Sequence, residues 1–117
     1  MVGISHFKGD NKTLRVTISD ATGVPVVVTA YTFKFSVKKD PKLDDSYCIF
    51  TKSSVYSTEI EIDSTNTGVV RIFILPGDCN LAEAGMYYYD IQMTTNLFKV
   101  YTIAMDTFII KEDVTKT

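Results

Sequence analysis

Apolar and polar side chains alternate with a period of two along most of this chain, the spacing of strands that each bury one face. The stretch Gly85-Met86-Tyr87-Tyr88-Tyr89-Asp90-Ile91-Gln92-Met93 is the plainest case. As a strand it places Tyr87, Tyr89, Ile91 and Met93 on an inner face, and Tyr88, Asp90, Gln92 and Thr94 on a wet one. Tyr31, Phe33, Phe35 and Val37 alternate in the same way with Thr32, Lys34, Ser36 and Lys38. Leu14, Val16 and Ile18 alternate with Thr13, Arg15, Thr17 and Ser19, and Val70, Ile72 and Ile74 with Val69, Arg71, Phe73 and Leu75. Weaker strand signals cover Val26-Val27-Val28, Tyr47 to Lys52 (of uncertain parity), and Ile60 with Ile62.

Turn residues separate these runs: Asp20-Ala21-Thr22-Gly23 with Pro25, Asp40-Pro41 through Asp45, Asp63 through Gly68, Pro76-Gly77-Asp78, and Thr94-Thr95-Asn96. The last strand runs from about Phe98 to Ile110. Its inner set switches from odd (Tyr101, Ile103) to even (Phe108, Ile110), which predicts a bulge near Ala104-Met105-Asp106. Only Asn80 to Ala84 has helical character, and it allows a single turn. Seven or eight short strands with turns between them predict an all-β, antiparallel, Ig-like β-sandwich occupying residues 1–117 as one domain, with a polar tail over about 111–117. Gly85-x-Tyr87, opening the penultimate strand after a corner, predicts a tyrosine corner. The chain has no tryptophan, and its cysteines do not fall on the second and penultimate strands, so the antibody-type hallmarks are missing.

Composition adds limits. With 12 Lys and Arg against 14 Asp and Glu, the net charge of −2 offers no electrostatic reason to bind nucleic acid or an anionic membrane. No apolar run approaches the ~20 residues that span a bilayer. The opening MVGISHFKGDNK does not read as a signal peptide, which predicts a cytoplasmic origin and free thiols at Cys48 and Cys79.

Candidate chemistry is sparse. His6 is the single histidine and is read as a surface residue ahead of the first strand. Asp63-x-Thr65-x-Thr67-Gly68 echoes a calcium loop but lacks acidic or amide ligands at its third and fifth places, and Ile74 stands where the bidentate acid belongs. Asn11-x-Thr13, Lys8-Gly9-Asp10 and Asp44-Asp45 read as turn or loop residues. Without a nucleophile turn, a phosphate-cradling loop or a metal-ligand set, the sequence predicts no enzyme and no cofactor.

Outward-facing apolar residues are more informative, because clusters of them mark interfaces. If Val70, Ile72 and Ile74 point inward, then Val69, Arg71, Phe73 and Leu75 point outward. An Ig-like strand order would set Lys34, Ser36 and Lys38 beside them, making an apolar centre with a basic rim. Tyr88, Phe98 and Tyr101 are the candidates for stacking a ligand such as a sugar ring.

The ordered set FKGDNKTLRVTISDATGVPV, YTFKFSVKKD, GVVRIFILPGD, LAEAGMYYYDIQM and KVYTIAMDTFIIKEDVT resembles one family over nearly the whole chain. That family is the N-terminal Ig-like β-sandwich domain of tailed-bacteriophage upper-baseplate and tail-fibre proteins. Lys8-Gly9-Asp10 corresponds to its opening turn and Asp20-Ala21-Thr22-Gly23-Val24-Pro25 to its Asp-x-x-Gly-x-Pro. Gly85 to Asp90 corresponds to its Gly-x-Tyr-Tyr-Tyr-Asp-like strand, and Asp113-Val114-Thr115 to its close. The resemblance implies a non-enzymatic virion structural or adaptor protein, made in a bacterial cytoplasm. It would dock in symmetric copies onto other virion proteins of baseplate, tail, neck or capsid. The alternative it leaves open is a carbohydrate- or receptor-binding module on the virion exterior. Members often continue into a coiled coil and a receptor-binding part, whereas this sequence stops after the last strand.

Overall fold

The computed structural model describes residues 3–44, 47–79 and 82–112. Eight strands follow one another: β1 (Ile4–Phe7), β2 (Lys12–Thr17), β3 (Thr32–Lys38), β4 (Phe50–Ser53), β5 (Ile60–Ile62), β6 (Val69–Ile74), β7 (Gly85–Thr94) and β8 (Val100–Lys111). They form a five-stranded sheet in the order β1-β8-β7-β3-β4 and a three-stranded sheet in the order β2-β6-β5. The chain is an Ig-like β-sandwich.

The inner rows follow from parity. Phe33, Phe35 and Val37 of β3, Tyr87, Tyr89, Ile91 and Met93 of β7, and Phe108 and Ile110 of β8 line the larger sheet. They meet Val16 of β2, Ile60 of β5, and Val70, Ile72 and Ile74 of β6 in one buried cluster. At its centre the Phe35 ring lies 5.6 Å from that of Tyr89, 6.0 Å from Phe50 and 6.3 Å from Phe108, separations at which tilted and edge-on rings attract. Tyr87 makes the expected corner: its hydroxyl donates to the Glu83 carbonyl at 2.7 Å, and the Lys39 ammonium lies over its ring. The β8 bulge falls beside the expected place. Ile91 pairs with Ala104 and Gln92 with Thr102, so Ile103 is the extra residue.

Several expectations are corrected. Residues 4–7 form a strand, and it pairs in parallel with Phe108–Lys111 of β8, so the larger sheet is not wholly antiparallel. The triple-valine run forms no strand; Val28 turns into the core while Val27 stays exposed. The polar tail starts later than expected, because Lys111 belongs to β8 and Glu112 pairs with Lys8 at 3.0 Å. Residues 113–117, with the motif Asp113-Val114-Thr115, lie outside the described residues, as do Asp45 and two of the five residues of the expected helical turn, Asn80 and Leu81.

The parity of residues 47–52 is settled by pairing. Phe50 stands opposite Val37, and Lys52 opposite Phe35, so both face inward. Lys52 is 5% exposed, and its ammonium meets the Asp78 carboxylate at 2.8 Å. The same carboxylate oxygen accepts the Leu75 N–H at 2.7 Å, so Asp78 caps the turn that ends β6 and also neutralises a lysine of the opposite sheet. β4 is an edge strand, and an inward charge on an edge strand opposes pairing with a foreign strand.

Truncating Tyr87 to alanine should lower unfolding free energy by about 3–5 kcal/mol, as for large buried aromatics, whereas Tyr87→Phe should lose only the corner hydrogen bond, ~1 kcal/mol. Urea denaturation of both variants separates packing from hydrogen bonding; equal losses would refute the division. Asp78→Ala leaves Lys52 buried and unpaired, and should cost about 3–5 kcal/mol in the same measurement.

Candidate functional site

The outer face of the three-stranded sheet carries the row Val69, Arg71, Phe73, Leu75, and it is less uniform than expected. Val69 is buried, at 3% exposure, although it stands outside the main core cluster. The chain leaving β2 runs close beside the preceding residue, Gly68. A side chain at Gly68 would lie 2.6 Å from the Ile18 carbonyl and 3.3 Å from Pro25, and Gly68 holds φ at +79°, so this corner is closed against the neighbouring segment. Phe73 is half-buried and Leu75 exposed. Arg71 is held in a fork: its Nη1 donates to Asp63 at 2.7 Å, and its Nε and Nη2 to one Glu61 oxygen at 3.1 and 2.8 Å.

Asp63 also accepts from the backbone N–H groups of Thr65 and Asn66, from the Thr65 hydroxyl and from the Asn66 amide. These donors, with Arg71, hold its carboxyl far below the usual carboxylate range. The calcium-like segment is therefore a turn whose acid is spent on its own backbone and on Arg71. Among the described residues no group of three or more His, Cys, Asp and Glu is placed to hold a metal ion.

Lys34 and Lys38 do not border this row, which corrects the expected patch. They belong to β3 in the five-stranded sheet, on the face turned away from the core, while β6 lies in the other sheet. The two rows thus look outward in opposite directions. Lys38 donates to the Leu43 carbonyl at 2.9 Å.

The three stacking candidates are also scattered. Tyr88 is half-buried on the outer face of β7, in a hollow of about 60 Å³ with Ser36, Lys38, Pro41, Asp90 and Met105. Tyr101 pairs with Met93, so it belongs to the opposite side of the sheet. Phe98 is at the β7–β8 hairpin tip, 89% exposed and with φ at +61°. A left-handed aromatic residue costs roughly 1–3 kcal/mol and persists only where its surroundings hold it. Here Thr95 does so: its carbonyl accepts the Phe98 N–H, its hydroxyl accepts those of Leu97 and Lys99, and its own N–H donates to the Lys99 carbonyl. With Leu97, Val100 and Tyr101 also exposed, the tip is an apolar knob on a stiff turn.

At the far end of the sheet, an open cavity of about 540 Å³ lies between residues 47–50 and the corner after β6, lined by Tyr47, Cys48, Ile49, Phe50, Gly77, Asp78 and Ala82. The pattern of alternation gave no sign of it, because both walls are irregular segments.

His6 is buried in β1, not on the surface, at 3% exposure and 6.2 Å from the Phe108 ring. Its Nε2 has no hydrogen-bond partner among the described residues. Burial lowers its pKa from the ordinary 6.5, against a rise from Asp10 and Asp78 and with a further lowering from Lys12. Both cysteines are free. Cys48 is half-buried; Cys79 is fully buried, and burial with nearby Asp78 pushes its thiol up to about 11.

No protein-family model matches the chain, and no curated protein matches it. Among solved structures, murine CRIg is similar at 10% identity with a TM-score of 0.44, over 95% of this chain and 92% of that one.

Because the folded chain binds a proton at His6 less tightly than the unfolded chain, stability should be full above the unfolded value of 6.5 and fall as pH drops below it. Denaturation midpoints measured on both sides of that value should slope for the natural sequence and flatten for His6→Leu. An unchanged slope in the variant would assign the acid sensitivity to other groups.

Proposed function

We propose that this protein is a non-enzymatic structural or adaptor component of a tailed-phage virion that docks onto other virion proteins. The observation that carries the reading is a division of labour on the surface. Several of the charged groups are committed to holding the fold, Arg71 with Asp63 and Glu61 and Lys52 with Asp78, and His6 is buried against Phe108. Apolar side chains meanwhile remain outside at Phe73 and Leu75 and at the hairpin tip. Such a surface suits association with protein. The ordered resemblance to phage upper-baseplate and tail-fibre sandwiches supplies the setting: a particle built of symmetric copies, assembled in a bacterial cytoplasm.

A second reading, a carbohydrate- or receptor-binding module, draws on the hollow beside Tyr88. There an aromatic ring lies next to the polar side chains of Ser36, Lys38 and Asp90. Phe98 and Tyr101 do not join that hollow, so a sugar site would rest on Tyr88 alone. A glycan array separates the two readings, since the structural role expects no signal above background.

On the leading reading Phe73 is the anchor of the small sheet's outer face. Phe73→Ala should leave thermal stability of the isolated protein nearly unchanged. It should weaken incorporation into assembling particles by ~2 kcal/mol or more, the scale of an interface hot spot. Quantifying the protein in purified particles by mass spectrometry tests this. A variant that melts far earlier yet incorporates normally when folded would make Phe73 part of the protein's own core and move the docking surface elsewhere.

A further inference from the structure

We propose that two copies of this chain pair edge to edge through the first half of β8, related by a two-fold axis, with Lys99 of each copy opposite Asp106 of the other. The inference is independent of where the protein acts, because both sides of the contact are the same segment. β1 flanks β8 only from Phe108 onwards, and among the described residues no strand pairs with Val100–Thr107 on that side. The other edge strands are short or carry charge. β1 and β4 have four residues each and β5 has three, Lys52 points inward from β4, and β2 carries Lys12 and Arg15. By contrast Val100-Tyr101-Thr102-Ile103-Ala104-Met105 has no charge, proline or glycine, and Val100, Tyr101 and Met105 are exposed. An unguarded edge of that composition recruits a further strand.

The segment is complementary to itself. Set antiparallel about its centre, Lys99 meets Asp106, Val100 meets Met105 and Tyr101 meets Ala104, and each pair recurs by symmetry. The bulge is what makes the faces agree. In a regular strand, residues an odd number apart lie on opposite faces. Here Val100 stands beside Thr94 and Met105 beside Asp90, both on the outer face, while Tyr101 stands beside Met93 and Ala104 beside Ile91, both on the inner one. The backbone agrees as well. The Lys99 carbonyl is turned to Thr95 at the end of β7, and the Lys111 carbonyl to Lys8 on the β1 side. Alternation from either end therefore turns the N–H and C=O of Val100, Thr102 and Met105 to the open edge. The charges are available: neither Lys99 nor Asp106 is in an ion pair among the described residues, and Asp106 uses Oδ1 for the Thr107 N–H at 2.7 Å, which leaves Oδ2. The fold sets both ends of the contact, since Phe98 turns away with φ at +61° and Gly3 lies against Thr107. An isologous contact of this kind closes at a dimer.

Sedimentation equilibrium of the natural sequence over about 10 µM to about 1 mM, where a small interface associates, should show monomer passing into dimer and nothing larger. Lys99→Asp sets acid against acid at both ends of the contact, and Asp106→Lys sets base against base. Each alone should dimerise about tenfold more weakly or worse, because two cross-strand pairs turn repulsive. An equimolar mixture of the two should recover the natural affinity as a heterodimer, since each contact again joins a base to an acid. Thermal melts of both variants matching the natural sequence would confirm that folding is not the cause. Amide hydrogen exchange of the natural chain needs no variant: Val100, Thr102 and Met105 should gain protection from the bottom of the concentration range to the top. Should Asp106→Lys fail to fold through loss of its bond to Thr107, that exchange measurement decides the matter with Lys99→Asp. A natural chain that stays monomeric at the top of the range or grows past a dimer overturns the proposal. So does a Lys99→Asp variant that dimerises normally, a mixture of folded variants that does not recover, or edge amides already protected in the dilute monomer, where another part of the same chain would have to cover them.

Discussion

The inward row of β7 is the constraint on which the rest of this sandwich depends. Four side chains on alternate positions, Tyr87, Tyr89, Ile91 and Met93, fill the middle of the larger sheet. A slip of one residue would put Tyr88, Asp90 and Gln92 into the core in their place. The strands on either side are registered to that row: Phe35 lies opposite Ile91 on β3, and Phe108 opposite Tyr87 on β8. Phe35 brings its ring against Tyr89 and Phe108, so one aromatic ring links three strands. The Tyr87 hydroxyl then ties the start of the row to the corner that delivers the chain from the other sheet.

Charge has a narrower task. Among the described residues the core admits one inward lysine, Lys52, and its partner Asp78 comes from the corner that ends β6. The pair joins an edge strand of one sheet to the end of a strand in the other, and it is specific in a way that apolar contact is not. A buried pair adds little net stability over an apolar pair of the same shape, but it strongly penalises arrangements that separate the partners. Arg71, Glu61 and Asp63 do related work on the outside of the small sheet. There Arg71 gathers two acids from β5 and the turn after it, closing the hairpin between β5 and β6.

For function, the geometry divides what had looked like one patch. Phe73 and Leu75 lie on one face of the sandwich, Lys34 and Lys38 on the other, and the hairpin knob at an end. A protein with separate apolar contact points can touch more than one neighbour. The nitrogen of His6 in the short parallel strand β1, without a partner among the described residues, is by contrast a cost borne within the fold.

Alternation in the sequence was enough to establish the faces of the four strongest strands, the bulge in β8 to within a residue or two, and the tyrosine corner. All are local: parity and turn chemistry act over a few residues, and a strand that buries one face must write that face into every second position. Pairing partners were not legible, because period two tells which side of a strand is wet and not which sheet the strand joins. That is why Lys34 and Lys38 were placed beside Arg71 and Phe73. The inward course of Lys52 emerged only once Phe35 stood opposite it, and β1, four residues long, is a strand only because the end of β8, about a hundred residues later, lies alongside it. Val69 carries an outward parity and is buried all the same, beside a corner where Ile18 and Pro25 crowd its neighbour Gly68. In each case the deciding contact joins residues distant in the chain, and only the folded structure brings them together.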